Sequence, residues 1–406
     1  MTAVTQPKKR QAMVLLNLAV SVLSVGVAQS HAQRLVVVSP RHHARLAEVL
    51  EIPIEDIRKS IPDVEHFSAV NAATNETITT QIYSNPDRPA HDMLLLAIQM
   101  PVGGRLAIDF IPSGDSQQNA LVFGREAPER KDDFAWENKF VAYRVYGPAL
   151  EATGEITSGI DVWSKRVPNF VIDSFYRHDA EGARTHNPAL SYHKDDGVGL
   201  DSYLVGPSRG CGGTGVVSDG KLWVSKNYAH LRQIASGPVR FEFELTYAPW
   251  NADGIQVTET KRITLDAGTH MNRIQSTFTF AGPTTIDVAA GLAIHPGADF
   301  VSLNSDHILA VWDTPQDASA GRIATGAIAP DESNARVMRL GDQALFVFQV
   351  HSGQPIRYLA GSGWSKADMP TRQAWNDYLA RTARQARYPL QIHWVKKPIP
   401  LKEDRP

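Results

Sequence analysis

The sequence predicts a mainly β protein, a large antiparallel sandwich or barrel, with one long helix near the C-terminus. Three observations predict it. Apolar and polar residues alternate with period two in many short stretches. Turn signals such as Asp266-Ala267-Gly268, Gly282-Pro283 and Pro296-Gly297 separate them at short intervals. A helical pattern is convincing in one place only. With 43% hydrophobic and 21% charged residues, the composition excludes a disordered chain. A chain of 406 residues buries enough core to need no disulfide or metal staple.

Residues 1–32 read as a secretory signal peptide. Lys8, Lys9 and Arg10 form a basic start, residues 13–27 an apolar run, and Ser30-His31-Ala32 a small-residue cleavage site. The run is too short for a membrane anchor, and no later stretch reaches a spanning length. Cleavage after Ala32 predicts a periplasmic or secreted protein with 38 basic and 43 acidic residues. That mildly acidic balance disfavours nucleic acid as a partner. Cys211 is the single cysteine, so no internal disulfide exists, and the thiol reads as a small buried apolar group.

Residues 34–39 (RLVVVS) start the β pattern. Residues 93–100 form a continuous apolar run, and Leu106, Ile108 and Phe110 alternate after a turn. Residues 33–125 are therefore read as a smaller N-terminal β part, and 126–406 as the main sandwich, the two expected to form one compact unit. In the main part, residues 140–146 alternate as FVAYRVY. Residues 240–247 put Phe241, Phe243, Leu245 and Tyr247 on one face and Arg240, Glu242, Glu244 and Thr246 on the other. Residues 255–265, 273–280, 285–294, 308–312 and 344–351 follow the same pattern. The helix is expected over 366–387, with Trp375, Tyr378, Leu379, Thr382 and Ala386 on one side and arginines outside.

Eight of the 29 glycines lie within residues 197–220, mixed with titratable side chains. Glycine permits positive φ and close backbone approach, so the segment is read as a cleft wall rather than a plain solvated loop. The longer stretch around it, residues 191–228, supplies the candidate residues His193, Asp196, Tyr203, Arg209 and Lys226. A second cluster, residues 131–138, sets Phe134 and Trp136 among Glu137, Asn138 and other polar groups. An aromatic ring stacks on a sugar face while amides and carboxylates bind its hydroxyls; a strand with both rings in the core is the alternative.

Other chemistries are excluded or left open. Gly210, Gly212 and Gly215 match a dinucleotide fingerprint, but a strand end and a turn follow where a helix is required. No nucleotide cofactor is expected. No Gly-x-Ser-x-Gly elbow is present. His178, His186 and His193 lack the spacing of a metal motif, so no metal ligands are assigned. A glycosidase pair drawn from Glu137, Asp195, Asp196 or Asp201 stays open.

Long stretches also resemble a known family: residues 132–138 (DDFAWEN), 141–150 (VAYRVYGPAL), 158–166 (SGIDVWSKR), 192–215 (YHKDDGVGLDSYLVGPSRGCGGTG), 225–228 (SKNY), 241–250 (FEFELTYAPW) and 260–268 (TKRITLDAG). They are similar to the DUF4861 family, across most of the chain from residue 34 to 394. The resemblance implies exported proteins of bacteria that degrade plant or algal polysaccharide, associated with pectin and uronate utilisation. It also implies a large β-supersandwich similar to galactose mutarotase. It carries over no catalytic residues.

The expected partner is then an oligosaccharide or polysaccharide containing uronate, and the expected reaction a proton abstraction beside the carboxylate, as in β-elimination. That chemistry needs a base, an acid and a group that neutralises the carboxylate. His193 and Tyr203 are the candidate acid and base. Lys226, Arg209 and Asn138 are candidate carboxylate binders, Glu137 and Asp196 orienting groups, and Trp136 a platform. A two-carboxylate glycoside hydrolase is the alternative enzyme. A non-catalytic sugar-binding module using Trp136, Trp163 and Trp223 is the alternative outside enzymes.

Overall fold

A computed structural model describes Met1 and residues 33–396, apart from 41–44, 46, 60, 62–65, 89–90, 114–117, 304–306, 316 and 331–334. The segment read as a signal peptide, residues 1–32, lies outside the described residues apart from Met1.

Alternation in the sequence becomes five antiparallel sheets. The largest has eight strands, in the order Tyr228–Ser236, Arg240–Ala252, Ile255–Asp266, Met271–Phe280, Pro355–Trp364, Ile323–Ile328, Ile308–Asp313 and Asp299–Leu303. Its inner face carries Phe241, Phe243, Leu245, Ile263, Ile274 and Phe278, all buried. Two five-stranded sheets share the facing layer. One runs Gly199–Leu200, Asp161–Lys165, Val141–Val145, Asp133–Asn138, Val122–Ala127. The other runs Lys221–Trp223, Cys211–Ser218, Ile286–Ala293, Gln343–Val350, Arg336–Leu340. One continuous core joins all three sheets, with Phe134, Trp136 and Tyr143 from the first small sheet and Val288, Leu292 and Phe346 from the second. The fold is thus the predicted β-sandwich, one broad sheet against two narrower ones.

The glycines at 210–215 stitch the two narrow sheets together. Gly210 makes an isolated parallel bridge to Ile160, and a bulge follows between Cys211 and Gly213. A Cβ on Gly210 would stand 2.2 Å from the Ile160 carbonyl oxygen, and its φ of +56° disfavours a side chain as well.

The helix Arg372–Arg387 is capped by Thr371, whose hydroxyl accepts from the Ala374 amide at 3.1 Å. Trp375, Tyr378, Leu379 and Ala383 pack on the outer face of the eight-stranded sheet. A second helix, Ile172–Thr185, was not expected from the sequence. Its signal is short: Ile172, Phe175 and Tyr176 make one apolar stripe against Trp163, Ala135 and Ala142.

Before the sandwich come two small sheets around a core of their own. One has three strands, Glu48–Pro53, Met93–Ile98 and Thr80–Tyr83. The other has five, in the order Gln391–Lys396, Gln33–Val38, Arg105–Pro112, Phe67–Asn71 and Thr77–Ile78. The strand at residue 33 is therefore paired with the strand at residue 396.

Candidate active site

Period two decides which side chains face away from the core. In Val141–Val145, the residues Val141, Tyr143 and Val145 point inward, so Ala142 and Arg144 point out. By the same parity Asp133 and Glu137, and Asp161 and Lys165, lie on that outer face. Helix Ile172–Thr185 and the segment after it cover the face and bury these charges. Register sets Arg144 directly opposite Asp161.

Arg144 is the hub. Its Nε donates to Asp161 at 2.9 Å, one terminal nitrogen to Asp201 at 2.8 Å, and the other to the Tyr192 hydroxyl at 3.3 Å. The Tyr146 hydroxyl donates to the same Asp161 oxygen at 2.9 Å. Trp163, Tyr146 and Tyr192 surround the guanidinium, with ring centres 4.9, 5.1 and 5.6 Å from it. Asp133 completes the cluster, accepting from Arg130 at 2.9 Å and from the Tyr176 hydroxyl at 3.2 Å. Three buried carboxylates thus meet two guanidiniums. Burial, then the Asp161 charge, pushes Asp201 up to about 7, against the pull of Arg144 and His193.

Asp201 holds His193. The His193 Nδ1 lies 2.8 Å from the Asp201 carbonyl oxygen and 3.7 Å from its carboxylate. A carbonyl only accepts, so Nδ1 carries the proton. In the neutral ring Nε2 then has the free lone pair, and among the described residues it has no partner. The imidazole packs edge-on against Tyr192, with ring centres 4.6 Å apart, and stays largely exposed.

Both groups line a cavity of about 610 Å³, walled also by Tyr146, Glu155, Tyr203, Leu204 and Asp317. The segment at 203–207 is pinned from behind. His295 contacts Leu204 O at 2.7 Å through Nε2 and pairs with Asp313 through Nδ1. Burial lowers the affinity of His295 for its second proton, but Asp313 and the Leu204 carbonyl more than offset that and hold it above the usual histidine value.

The sequence candidates divide here. His193 and Tyr203 share the cavity. Tyr203 shows it only the ring, because its hydroxyl is buried, with the Thr325 hydroxyl as its neighbour. Trp136 has no open face for a sugar: it is fully buried and donates to Asn272 at 2.8 Å. Glu137 is not free to orient a ligand. It accepts from Lys165 at 2.6 Å and from the amides of Val171 and Ile172, capping the second helix. Asn138 is spent on the Asp266 and Thr269 carbonyls and the Phe140 amide. Arg209 is buried and donates to Ser158 and the Thr214 and Pro207 carbonyls. Asp196 caps a turn at the Val198 amide, and Lys226 pairs on the surface with Glu151. None of these six lines the cavity. Sequence reasoning missed Arg144, Asp133 and Asp161, which stand on three separate strands and converge only in the sheet.

A family model described as a domain of unknown function, DUF4861, matches residues 37–392. The chain belongs to the DUF4861 family. A protein of Formosa agariphila bearing the name uncharacterized protein P7 is 30% identical over 366 residues, covering 86% of this chain and 90% of its own. A glycosyl hydrolase family 38 protein from Enterococcus faecalis is similar in structure, with a TM-score of 0.50 at 8% identity over 90% of this chain and 47% of that one. An alpha-mannosidase from Enterococcus faecalis gives a TM-score of 0.46 at 8% identity, over 90% and 46%. At that identity the likeness is one of fold, and this chain spans less than half the length of those two. In this DUF4861 chain, four of the seven stretches that carry the family resemblance build the site. DDFAWEN supplies Asp133, VAYRVYGPAL supplies Arg144 and Tyr146, SGIDVWSKR supplies Asp161 and Trp163, and the long glycine-rich stretch supplies Tyr192, His193, Asp201 and Tyr203.

Proposed function

We propose that the protein is a carbohydrate-active enzyme of the periplasm that works on uronate-containing oligosaccharides by proton transfer, with His193 as the base. One observation carries the reading: a histidine with a free Nε2 is fixed by Asp201 at the wall of a cavity, over a carboxyl whose proton affinity is raised to near neutrality. The similarity to a glycosyl hydrolase family 38 fold supports a sugar as substrate, and the pectin association implied by the family resemblance supports a uronate.

In the eliminative form, His193 Nε2 takes the proton beside the carboxylate. The C–H electrons form the new double bond, the C–O bond to the leaving sugar breaks, and the leaving oxygen gains a proton. Arg144 and protonated Asp201 are the groups on the wall able to draw charge from the carboxylate. Tyr203 would donate to the leaving oxygen only by turning its hydroxyl outward. A second reading has its own support. Asp201, kept protonated near neutral pH, matches the acid of a glycosidase, with Glu155 or Asp317 across the same cavity as its partner.

The test mixes the protein with oligogalacturonides and rhamnogalacturonan fragments and follows both unsaturated-uronate absorbance and reducing ends. Both rising together indicates elimination, and reducing ends alone indicate hydrolysis. Binding without product reduces the protein to a sugar-binding module. His193→Ala is expected to lose on the order of 10² in turnover while melting within a few degrees of the parent. Tyr203→Phe is expected to melt within a few degrees of the parent, because the hydroxyl removed is buried with the Thr325 hydroxyl as its neighbour. Lost turnover in that variant assigns the second proton to Tyr203.

A further inference from the structure

The active-site cavity is poor in cations. Arg144 is already bonded to two carboxylates, and Glu155, Asp201 and Asp317 line the same wall. The positive charge lies elsewhere. A second cleft, of about 640 Å³, opens between the outer face of the eight-stranded sheet and Tyr83, Asn85, Arg88, His91 and Met93. It shares no lining residue with the first and carries five arginines: Arg88, Arg240, Arg262, Arg273 and Arg357.

Three of these have structural work. Arg240 and Arg273 both donate to Glu51, and Arg262 pairs with Asp87 and Glu244, tying the N-terminal sheets to the large one. Arg88 and Arg357 do not. Both are exposed, and among the described residues neither meets a carboxylate. Among the described residues, Arg357 donates to Gln275, at 3.1 Å. Register explains the arrangement. Glu244, Arg262, Gln275 and Arg357 stand directly opposite one another on four neighbouring strands, so they form one row across the sheet. Arg262 and Arg357 are two strands apart, about 10 Å at the usual strand spacing. Along that row charge runs from a paired end at Glu244 to an unpaired cation at Arg357.

We propose that this cleft is a second binding site, for an acidic oligosaccharide whose carboxylate or sulfate groups are held by Arg357 and Arg88. Gln275 presents an amide between the cations for the hydroxyls in between. The volume suits a small ligand, and exposed guanidiniums match both oxyanions in shape as well as charge. That the anion is a sugar rests on the proposed function; that the cleft takes an anion does not. The division of labour is physical: the cation-rich cleft holds the charged chain, and the catalytic cavity is left with groups suited to moving protons.

The experiment is calorimetric titration of the full chain with trigalacturonate, with a sulfated trisaccharide and with neutral maltotriose, at low and moderate salt. At least one acidic probe is expected to bind and to weaken with salt, and maltotriose to show no such salt dependence. The double variant R88Q/R357Q is expected to lose about tenfold in affinity for that probe and most of the salt dependence, with melting unchanged. If that variant folds poorly, R88K/R357K must restore both folding and part of the affinity. His193→Ala must bind the probe as the parent does. An R88Q/R357Q variant with parental affinity and salt slope overturns the proposal, as does failure of both acidic probes to bind. Loss of binding in His193→Ala places the probe in the catalytic cavity and also overturns it. Inactive protein that still binds through Arg88 and Arg357 sinks the enzyme reading alone.

Discussion

Asp201 shows how one carboxyl can be made to answer to pH. Its folded value, about 7, lies above the roughly 3.9 of an unfolded aspartate. The folded state therefore holds more protons between those limits, and stability contributed by this group falls as pH rises from about 4 to 7. Replacing it with asparagine is expected to flatten that slope, measured as urea midpoints at pH 5 and pH 8. A slope as steep in Asp201→Asn as in the parent would remove Asp201 as its source. His295 acts in the same sense through its raised value: its contribution is full below the ordinary histidine range and fades as pH climbs past it. His193 and Tyr203 were legible in the sequence because they sit in a dense run of glycine and titratable groups. The Arg144 cluster was not, since Asp133, Arg144 and Asp161 stand on three successive strands and each reads alone as an exposed charge on an alternating strand. Trp136 and Glu137 misled for the opposite reason. A ring flanked by polar residues looks like a sugar platform until parity places the ring in the core and the carboxylate at a helix start.

At the level of elements, most of the strands that alternation picked out end within a residue or two of the observed ones, while Tyr228–Ser236, Ile323–Ile328 and Pro355–Trp364 were not picked out. Residues 273–280, for example, extend in the structure to Met271–Phe280. The helix Ile172–Thr185 escaped because only Ile172, Phe175, Tyr176 and Gly182 of its fourteen residues are buried, too few to show a clear stripe. The glycine cluster was read as cleft wall, yet Gly210 serves the sheets: it lets Cys211–Ser218 approach Ile160. Gly210→Ala is expected to fold poorly or lose several degrees of melting temperature, since both the contact and the positive φ penalise a side chain. Cys211, next to it, is buried and donates its thiol to the Gly361 carbonyl, and burial pushes that thiol up, away from the thiolate. Cys211→Ser should therefore keep its turnover, and a drop of a hundredfold in a folded variant would expose a chemical role.

For the whole molecule, the decisive pairing joins the two ends of the described chain. Gln33–Val38 lies between Arg105–Pro112 and Gln391–Lys396, and Trp394 packs on Phe110 at 5.7 Å between ring centres. Removing residues 391–406 is expected to speed amide exchange first in Gln33–Val38 and Arg105–Pro112, while strands of the large sheet stay protected. Uniform loss of protection would mean that the small sheets and the sandwich open as one unit.

That pairing also sets a clock on synthesis. Strand Gln33–Val38, with its leucine and three valines, keeps one bare edge until its partner Gln391–Lys396, far later in the chain, is made, a wait on the order of tens of seconds at ordinary elongation rates. For that interval the nascent chain carries an apolar, unpaired edge of the kind that recruits other chains. Keeping the chain unfolded until Gln391–Lys396 is present avoids that edge, so conditions that let it fold while it is being made should punish this protein more than one whose first strand finds its neighbours early.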